Sequence, residues 1–219
     1  MPIPGALWHP SPNQGPRRDG LRPELVVIHY TEMISAEAAL ARLCDPGAEV
    51  SAHYLIGRDG RLWQLVEEEA RAWHAGAGEW LGRGDVNSRS IGIELDNDGK
   101  SPFAAPLMDR LEALLPGILA RWSIPAAGVI AHSDMAPARK VDPGPRFDWQ
   151  RLARRGLALW PEAPGDAETP LQRSLDALGY PGVDPDLRLA AFRLRFRPWH
   201  DGPEDATDRA LARALTRQG

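Results

Sequence analysis

Two of the six histidines in this chain stand where a metal ligand could be held rigidly. His29 and His132 each end a short apolar segment that predicts a buried strand, and polar residues follow each directly. Ligands gather beyond the carboxyl ends of strands, and Asp142 follows His132 in a loop stiffened by proline and glycine. Two imidazoles and a carboxylate, with a fourth position left to water, are typical of a catalytic zinc site. A lone histidine at a strand end is more often structural, so the prediction depends on the pairing of these three residues.

Glu94 and Lys140 are candidates for proton transfer and charge stabilisation. Strand alternation over residues 91–95 places Gly92 and Glu94 on one face, opposite three apolar side chains. A carboxylate on a central strand is costly unless it is used or paired, whereas an edge strand with a wet face would accept it. Of the 26 basic residues only Lys100 and Lys140 are lysine. A compact ammonium beside a candidate ligand suits a developing oxyanion better than a planar guanidinium does, and chance placement is the alternative.

The elements that must position these residues are a mixture of strands and helices. Strand patterns cover residues 24–31, 50–57, 61–66, 90–95 and 128–133. The Asp-Gly pair at 59–60 predicts a hairpin between the second and third of them. Helical patterns cover residues 35–43 and 105–122, and the longer one has a single apolar face that would pack on a sheet. The sequence therefore predicts an α/β fold with a mixed central sheet flanked by helices.

A linker divides the chain into two predicted domains, residues 1–162 and 163–219. Residues 161–170 contain three prolines and a glycine and have no apolar periodicity. Three short helical patterns follow, and each of them can bury one stripe of side chains. About 50 residues in three helices make only a thin core, so we expect the second domain to lean on the first.

Composition and charge exclude several classes of protein. With 30 acidic and 26 basic residues the formal net charge is −4, which argues against a general electrostatic nucleic-acid binder. The single cysteine, Cys44, excludes an internal disulfide and a multi-cysteine zinc site. No stretch approaches the roughly 18 apolar residues of a membrane span, and the first residues lack the pattern of a secretory signal. We therefore expect a cytoplasmic protein; a cell-envelope or periplasmic one would need an export route without a visible signal.

Five motifs that occur in order along the chain resemble one enzyme family. They are residues 25–31, 51–57, 71–76, 87–95 and 131–145. Together they resemble the zinc-dependent N-acetylmuramoyl-L-alanine amidases of the type 2 class, which also includes the peptidoglycan recognition proteins. The C-terminal segment is similar to the small helical domain of the peptidoglycan-binding type found in one subgroup. The resemblance covers nearly the whole chain.

This resemblance implies a reaction and a role for each candidate residue. The reaction is hydrolysis of the amide between N-acetylmuramic acid and L-alanine, in peptidoglycan or muropeptide fragments, with one zinc ion per chain. In the wider family a tyrosine often stands where this chain has Ala52, and its absence favours a mechanism that uses a glutamate. The implied roles are zinc binding for His29, His132 and Asp142, proton transfer for Glu94, charge stabilisation for Lys140, and substrate contact for His74 and Asn97.

Two other functions stay open at this stage. One is a non-catalytic protein that binds or recognises peptidoglycan, against which the full set of candidate ligands, Glu94 and Lys140 counts. The other is a zinc peptidase that cuts within the stem peptide and would release different fragments. The sequence also leaves open whether the substrate is the intact sacculus or a soluble anhydro-muropeptide. The missing signal favours the soluble fragment, and the wall-binding-like domain favours the sacculus.

Overall fold

The computed structural model of the protein describes residues 3–163 and 165–218. The strands are β1 (Leu7–Trp8), β2 (Gln14–Pro16), β3 (Leu25–Tyr30), β4 (Tyr54–Ile56), β5 (Leu62–Gln64), β6 (Ala70–Ala72), β7 (Ser90–Leu95) and β8 (Val129–Ala131). The α-helices are α1 (Ala36–Cys44), α2 (Val86–Arg89), α3 (Ala105–Trp122), α4 (His132–Met135), α5 (Trp149–Ala153), α6 (Leu171–Leu178), α7 (Pro185–Phe196) and α8 (Ala206–Leu215).

A mixed sheet with the order β1-β5-β4-β7-β3-β8 forms the centre of the molecule. Strand β3 lies between β7 and β8 and pairs in parallel with both, whereas β4 and β5 pair antiparallel through the predicted Asp59-Gly60 hairpin. The prediction of a mixed central sheet flanked by helices is confirmed. Because β3, β7 and β8 are parallel, their carboxyl ends meet at one edge of the sheet, where ligands bind in open α/β folds.

The two faces of the sheet pack against different helices. Val26 and Ile28 of β3 lie on the face covered by α3, whose Leu111 and Leu115 are fully buried. Helix α3 has the bounds and the apolar face that the sequence predicts, and Pro106 stands in its first turn, where a missing N–H costs nothing. Burial on both faces explains why β3 is apolar until it reaches the sheet edge.

The C-terminal helices cover the opposite face. Val27 and Ile130 of the sheet share one hydrophobic cluster with Leu175 of α6, Phe192 of α7 and Leu215 of α8. The expectation that the helical segment leans on its neighbour therefore agrees with the packing. The predicted boundary at residue 163 falls between α5 and α6, next to Pro164, which lies outside the described residues. The division into two domains stays a prediction.

The strand that leads to His132 is shorter than the sequence predicts. The pattern extends it to Ser133, but β8 ends at Ala131 and His132 is the first residue of the short helix α4. The side chain of Asp134 accepts a hydrogen bond from Ala131 N at 2.9 Å, which caps the new helix. In the described ranges, none of the helices is long and apolar enough to cross a membrane.

Leu175→Ala tests whether the helical segment is joined to the sheet through one core. The substitution empties a fully buried site in the shared cluster, so we expect the free energy of unfolding to fall by about 2–5 kcal/mol. Far-UV circular dichroism and tryptophan fluorescence should still report one coincident transition in urea. Leu187→Ala on α7, where the side chain is 39% exposed, should cost about 1 kcal/mol or less. Two separate transitions would show that the segment folds independently.

Candidate metal centre

Three donor atoms converge at the edge of the sheet where β3 and β8 end. His29 Nδ1 lies 2.9 Å from His132 Nδ1, and each nitrogen lies 3.0 Å from Asp142 Oδ2. All three residues are buried, and their donor atoms form a group that could hold a metal ion. The structure thus brings together the three ligands that the sequence predicts. They come from β3, from the first residue of α4 and from the loop that follows α4.

A main-chain carbonyl fixes the protonation of the His132 ring. Its Nε2 lies 2.9 Å from the carbonyl oxygen of Ala75, which can only accept a hydrogen bond. The Nε2 atom of His132 therefore carries the hydrogen, and its Nδ1 presents a lone pair to Asp142 and His29. Metal-binding histidines are oriented by such a contact on their second ring nitrogen.

A chain of three hydrogen bonds fixes the His29 ring in the same way. His29 Nε2 lies 3.0 Å from His74 Nδ1, His74 Nε2 lies 3.1 Å from Ser90 Oγ, and Ser90 Oγ donates to the carbonyl oxygen of Val86 at 2.6 Å. Because the carbonyl only accepts, Ser90 donates to it and accepts from His74 Nε2–H. His74 Nδ1 then accepts from His29 Nε2–H, so that His29 Nδ1 also presents a lone pair.

The electrostatics of the cluster are those of a cation site. Burial and the neighbouring His132 lower the pKa of His29 to about 4, so the ring is neutral at physiological pH. Burial opposes the charged form of Asp142, and the imidazoles lower the pKa of this carboxyl only where they donate a hydrogen to it. With both rings donating from Nε2, a bound cation would take the place of those hydrogens. Neutral imidazoles and an ionised carboxylate are the forms that bind metal. Three lone pairs that face one another with no hydrogen between them are satisfied by a bound cation.

Gly92 makes room for the His74 ring. A Cβ atom at this position of β7 would overlap the imidazole, so a larger residue would displace it. The backbone nitrogens of His74 and Ala75 both donate to Asn87 Oδ1, at 2.9 and 2.8 Å, which fixes the segment from the other side. Both ring nitrogens of His74 are thus occupied by His29 and Ser90, and its contacts are those of a residue that orients His29. Its predicted contact with substrate stays a prediction.

Glu94 and Lys140 line the same cavity of about 340 Å³ as the three ligands. Glu94 stands next to His29 in the register of β7 and β3, and its Oε2 atom is buried without a hydrogen-bond partner among the described residues. Burial and the charge of Asp142 raise the pKa of Glu94 well above its ordinary value, and Lys140 opposes this increase. A half-buried carboxylate whose pKa is raised in this way is suited to accept and return a proton.

Asn97 lies in the loop after β7, and its amide is used within that loop. Its Nδ2 donates to the carbonyl oxygens of Ser101 and Pro102 at 3.2 and 3.4 Å, and its Oδ1 accepts from Gly99 N at 2.8 Å. The described residues that line the cavity do not include Asn97. Its predicted contact with substrate stays a prediction, and the contacts that we see give it a structural use.

Several residues of the site were not singled out from the sequence. Ser90 shares one face of β7 with Gly92 and Glu94, so the strand alternation that pointed to Glu94 could also have indicated the serine. Arg42 and Arg139 line the cavity too, and no spacing in the sequence distinguishes them from the other arginines.

The chain is similar to known proteins over most of its length. Residues 19–145 match the family model described as N-acetylmuramoyl-L-alanine amidase. N-acetylmuramoyl-L-alanine amidase AmiD of Escherichia coli strain K12 is 39% identical, and the alignment covers 89% of this chain and 82% of that protein. The 1,6-anhydro-N-acetylmuramyl-L-alanine amidase AmpD of Enterobacter cloacae is 36% identical over 65% of this chain and 86% of its own length.

Two solved structures superimpose on most of this chain. The complex of E. coli AmiD with the substrate anhydro-N-acetylmuramic acid-L-Ala-D-gamma-Glu-L-Lys superimposes with a TM-score of 0.81 at 37% identity, and covers 93% of this chain and 92% of that one. AmpDh3 from Pseudomonas aeruginosa superimposes with a TM-score of 0.81 at 30% identity, and covers 93% and 95% of the two chains.

Ser90→Ala tests the hydrogen-bond chain behind His29. Without the Ser90 hydroxyl the His74 tautomer is no longer fixed, so His29 is not held with Nδ1 free. We expect the dissociation constant for Zn²⁺, measured by competition with a chromophoric chelator, to rise about tenfold. Ser174→Ala removes another buried hydroxyl, one without a hydrogen-bond partner in the described part of the chain, and should leave the constant unchanged. An unchanged affinity in Ser90→Ala would mean that the tautomer of His29 is set by another group.

Proposed function

Because this chain belongs to the N-acetylmuramoyl-L-alanine amidase family, we propose that it uses one zinc ion to hydrolyse the amide between N-acetylmuramic acid and L-alanine. The observation that carries this proposal is the convergence of His29, His132 and Asp142, with both rings turned so that lone pairs face the same point. The substrate class is peptidoglycan or its muropeptide fragments. The fragment bound to the related AmiD supports this assignment, since it contains the same bond.

The three ligands fit zinc by their chemistry. Two neutral imidazoles and one carboxylate are a donor set that catalytic zinc sites use, and an open position is left for water or substrate. Zinc in such a site lowers the pKa of water to about 7 and polarises a carbonyl oxygen. His29 and His132 contribute Nδ1 and Asp142 contributes Oδ2, the atoms that already face one another.

Glu94 is the proposed general base and acid. It lines the cavity next to His29, and its unpaired buried oxygen is free to take a proton. In the first step it accepts a proton from the water that attacks the lactyl carbonyl carbon. It then gives the proton to the alanine nitrogen as the C–N bond breaks, so that the amine leaves neutral.

Lys140 is the proposed partner of the charge that develops on the carbonyl oxygen. Its side chain lines the same cavity, two residues before Asp142, so the loop that supplies the ligand also supplies the ammonium. An ammonium that is already in place stabilises the tetrahedral intermediate without solvent having to reorganise.

The two alternative functions are less well supported. A purely binding protein would have no use for a half-buried carboxylate with one buried, unpaired oxygen beside a complete set of candidate metal ligands, because burying that oxygen is costly. A peptidase that cuts within the stem peptide could share the chemistry, and only its products would differ. The identity of the bond that is cut therefore decides between them.

Mass spectrometry of a purified anhydro-muropeptide incubated with the protein tests this function. We expect release of the intact stem peptide, loss of the reaction when a chelator removes the metal, and recovery when Zn²⁺ is added. The matched control is Glu94→Gln, which keeps all three ligands and should bind Zn²⁺ while cleaving about 10²- to 10⁴-fold more slowly. Cleavage within the stem peptide would establish a peptidase. Zinc binding without any cleavage would leave the binding function.

Lys140→Arg tests the need for a compact charge. The planar guanidinium spreads the charge over a larger group, so we expect kcat to fall about 10²- to 10³-fold with little change in KM. Lys100→Arg is the matched control, because this second lysine is exposed and lies outside the cavity lining among the described residues. Activity of Lys140→Arg within about twofold of the unsubstituted protein would contradict the proposed role.

A further inference from the structure

One fully buried carboxylate near the metal centre has no part in the proposed chemistry. Asp134 stands two residues after His132 in α4, and its side chain is 0% exposed. Its Oδ2 accepts from Ala131 N at 2.9 Å, across the first turn of the helix that begins with His132. The carboxylate therefore stabilises the backbone turn from which the His132 ring projects.

The partners that balance this buried charge come from the C-terminal helices. Tyr180, which follows α6, donates its hydroxyl to Asp134 Oδ1 at 2.7 Å. Arg195 of α7 donates from Nη1 to Asp134 Oδ2 at 2.9 Å. Tyr180 and Arg195 are both only 5% exposed. Both carboxylate oxygens are therefore occupied, and among the described residues the positive charge paired with Asp134 belongs to the helical segment.

Arg195 is itself held from the catalytic side of the molecule. Its guanidinium lies over the Trp149 ring of α5, 3.9 Å from the ring centroid. Its Nη2 donates to the carbonyl oxygen of Leu159 at 3.4 Å. These contacts hold the guanidinium in one position between the helical segment and the first predicted domain. The side chain of an exposed arginine can instead adopt several conformations and contact different partners.

A buried carboxylate that loses its cation cannot stay as it is. It is expected to move toward water, because an uncompensated charge in a dry site is strongly unfavourable. That movement alters the contact with Ala131 N. The turn that carries His132 would then shift, and with it the distance from His132 Nδ1 to the other two ligands.

We propose that Arg195 of α7 and Tyr180, in the loop after α6, are positioning residues for the metal centre. Through Asp134 they hold the turn that presents His132, so the helical segment contributes to metal binding. This inference rests on the proposed zinc site. It adds a second function to a segment that the sequence suggested only as a wall-binding domain.

The test is Zn²⁺ affinity of the full chain carrying Arg195→Met, a substitution that keeps an unbranched apolar stem and removes the charged guanidinium. We expect the dissociation constant, measured by competition with a chromophoric chelator, to rise about tenfold. Arg193→Met is the matched control. Arg193 stands on the same helix, is buried like Arg195, with 7% of its surface exposed against 5%, and pairs with Asp208 of α8 within the helical segment. It should lower stability and leave Zn²⁺ affinity unchanged.

Two further variants separate positioning from general damage to the fold. Asp134→Asn combined with Arg195→Met removes the uncompensated charge, while the amide oxygen can still accept from Ala131 N. The double variant should therefore bind Zn²⁺ more tightly than Arg195→Met alone. Tyr180→Phe removes a single hydroxyl and should weaken Zn²⁺ binding by a few-fold. The visible spectrum of the Co²⁺-loaded protein should change in Arg195→Met and not in Arg193→Met, since it reports the geometry of the ligands.

The possible results distinguish the positioning role from a general loss of stability and from failure of the proposed metal site. Equal Zn²⁺ affinity in Arg195→Met, Tyr180→Phe and the unsubstituted protein would overturn the positioning role. Equal losses in Arg195→Met and Arg193→Met would also overturn it, because stability alone would then explain both. If the unsubstituted chain did not bind Zn²⁺, the proposed metal site would fail instead, whatever the variants did.

Discussion

The candidate metal centre depends on main-chain carbonyl oxygens that can only accept hydrogen bonds. The carbonyl of Ala75 receives the Nε2 hydrogen of His132, and the carbonyl of Val86 begins the chain that ends at His29. A free imidazole can carry its hydrogen on either ring nitrogen, and each carbonyl selects the form with the hydrogen on Nε2. A ring that donates from Nε2 presents a lone pair at Nδ1. Two lone pairs and the Asp142 carboxylate then face one another, and no hydrogen bond within the protein can satisfy all three.

The sheet brings these groups together because β3 is parallel to both of its neighbours. The carboxyl ends of β3 and β7 place His29 beside Glu94, and the end of β8 leads directly into His132. Each of the three residues on one face of β7, Ser90, Gly92 and Glu94, therefore contributes to the site. It supplies a hydrogen-bond acceptor, space for a ring and a carboxylate.

The C-terminal helices and the sheet are joined by packing and by hydrogen bonds. Their side chains share one hydrophobic cluster with β3 and β8, and two of them, Tyr180 and Arg195, satisfy the buried charge of Asp134. Removing one partner of a buried ion pair is strongly destabilising, because it leaves an uncompensated charge. The packing of the helices and the geometry around His132 are therefore linked through one carboxylate.

The sequence by itself determined the class of fold and the candidate ligands. The periodicities of 2 and 3.6 residues predicted the helix α3 and five of the described strands, and missed the short strands β1, β2 and β6. Polar residues at the ends of apolar strands predicted His29 and His132, and the loop after His132 indicated Asp142. Alternation alone placed Glu94 on the face of β7 opposite the core.

Only the tertiary structure decided which groups orient those ligands. His74 stands 45 residues from His29, Ser90 stands 16 residues from His74, and Tyr180 stands 46 residues from Asp134. The direction of a hydrogen bond depends on which donor or acceptor atom lies about 3 Å away in space. Sequence periodicity does not specify that neighbour. The position of His74 behind His29 and the end of β8 at Ala131 could therefore not be predicted from spacing.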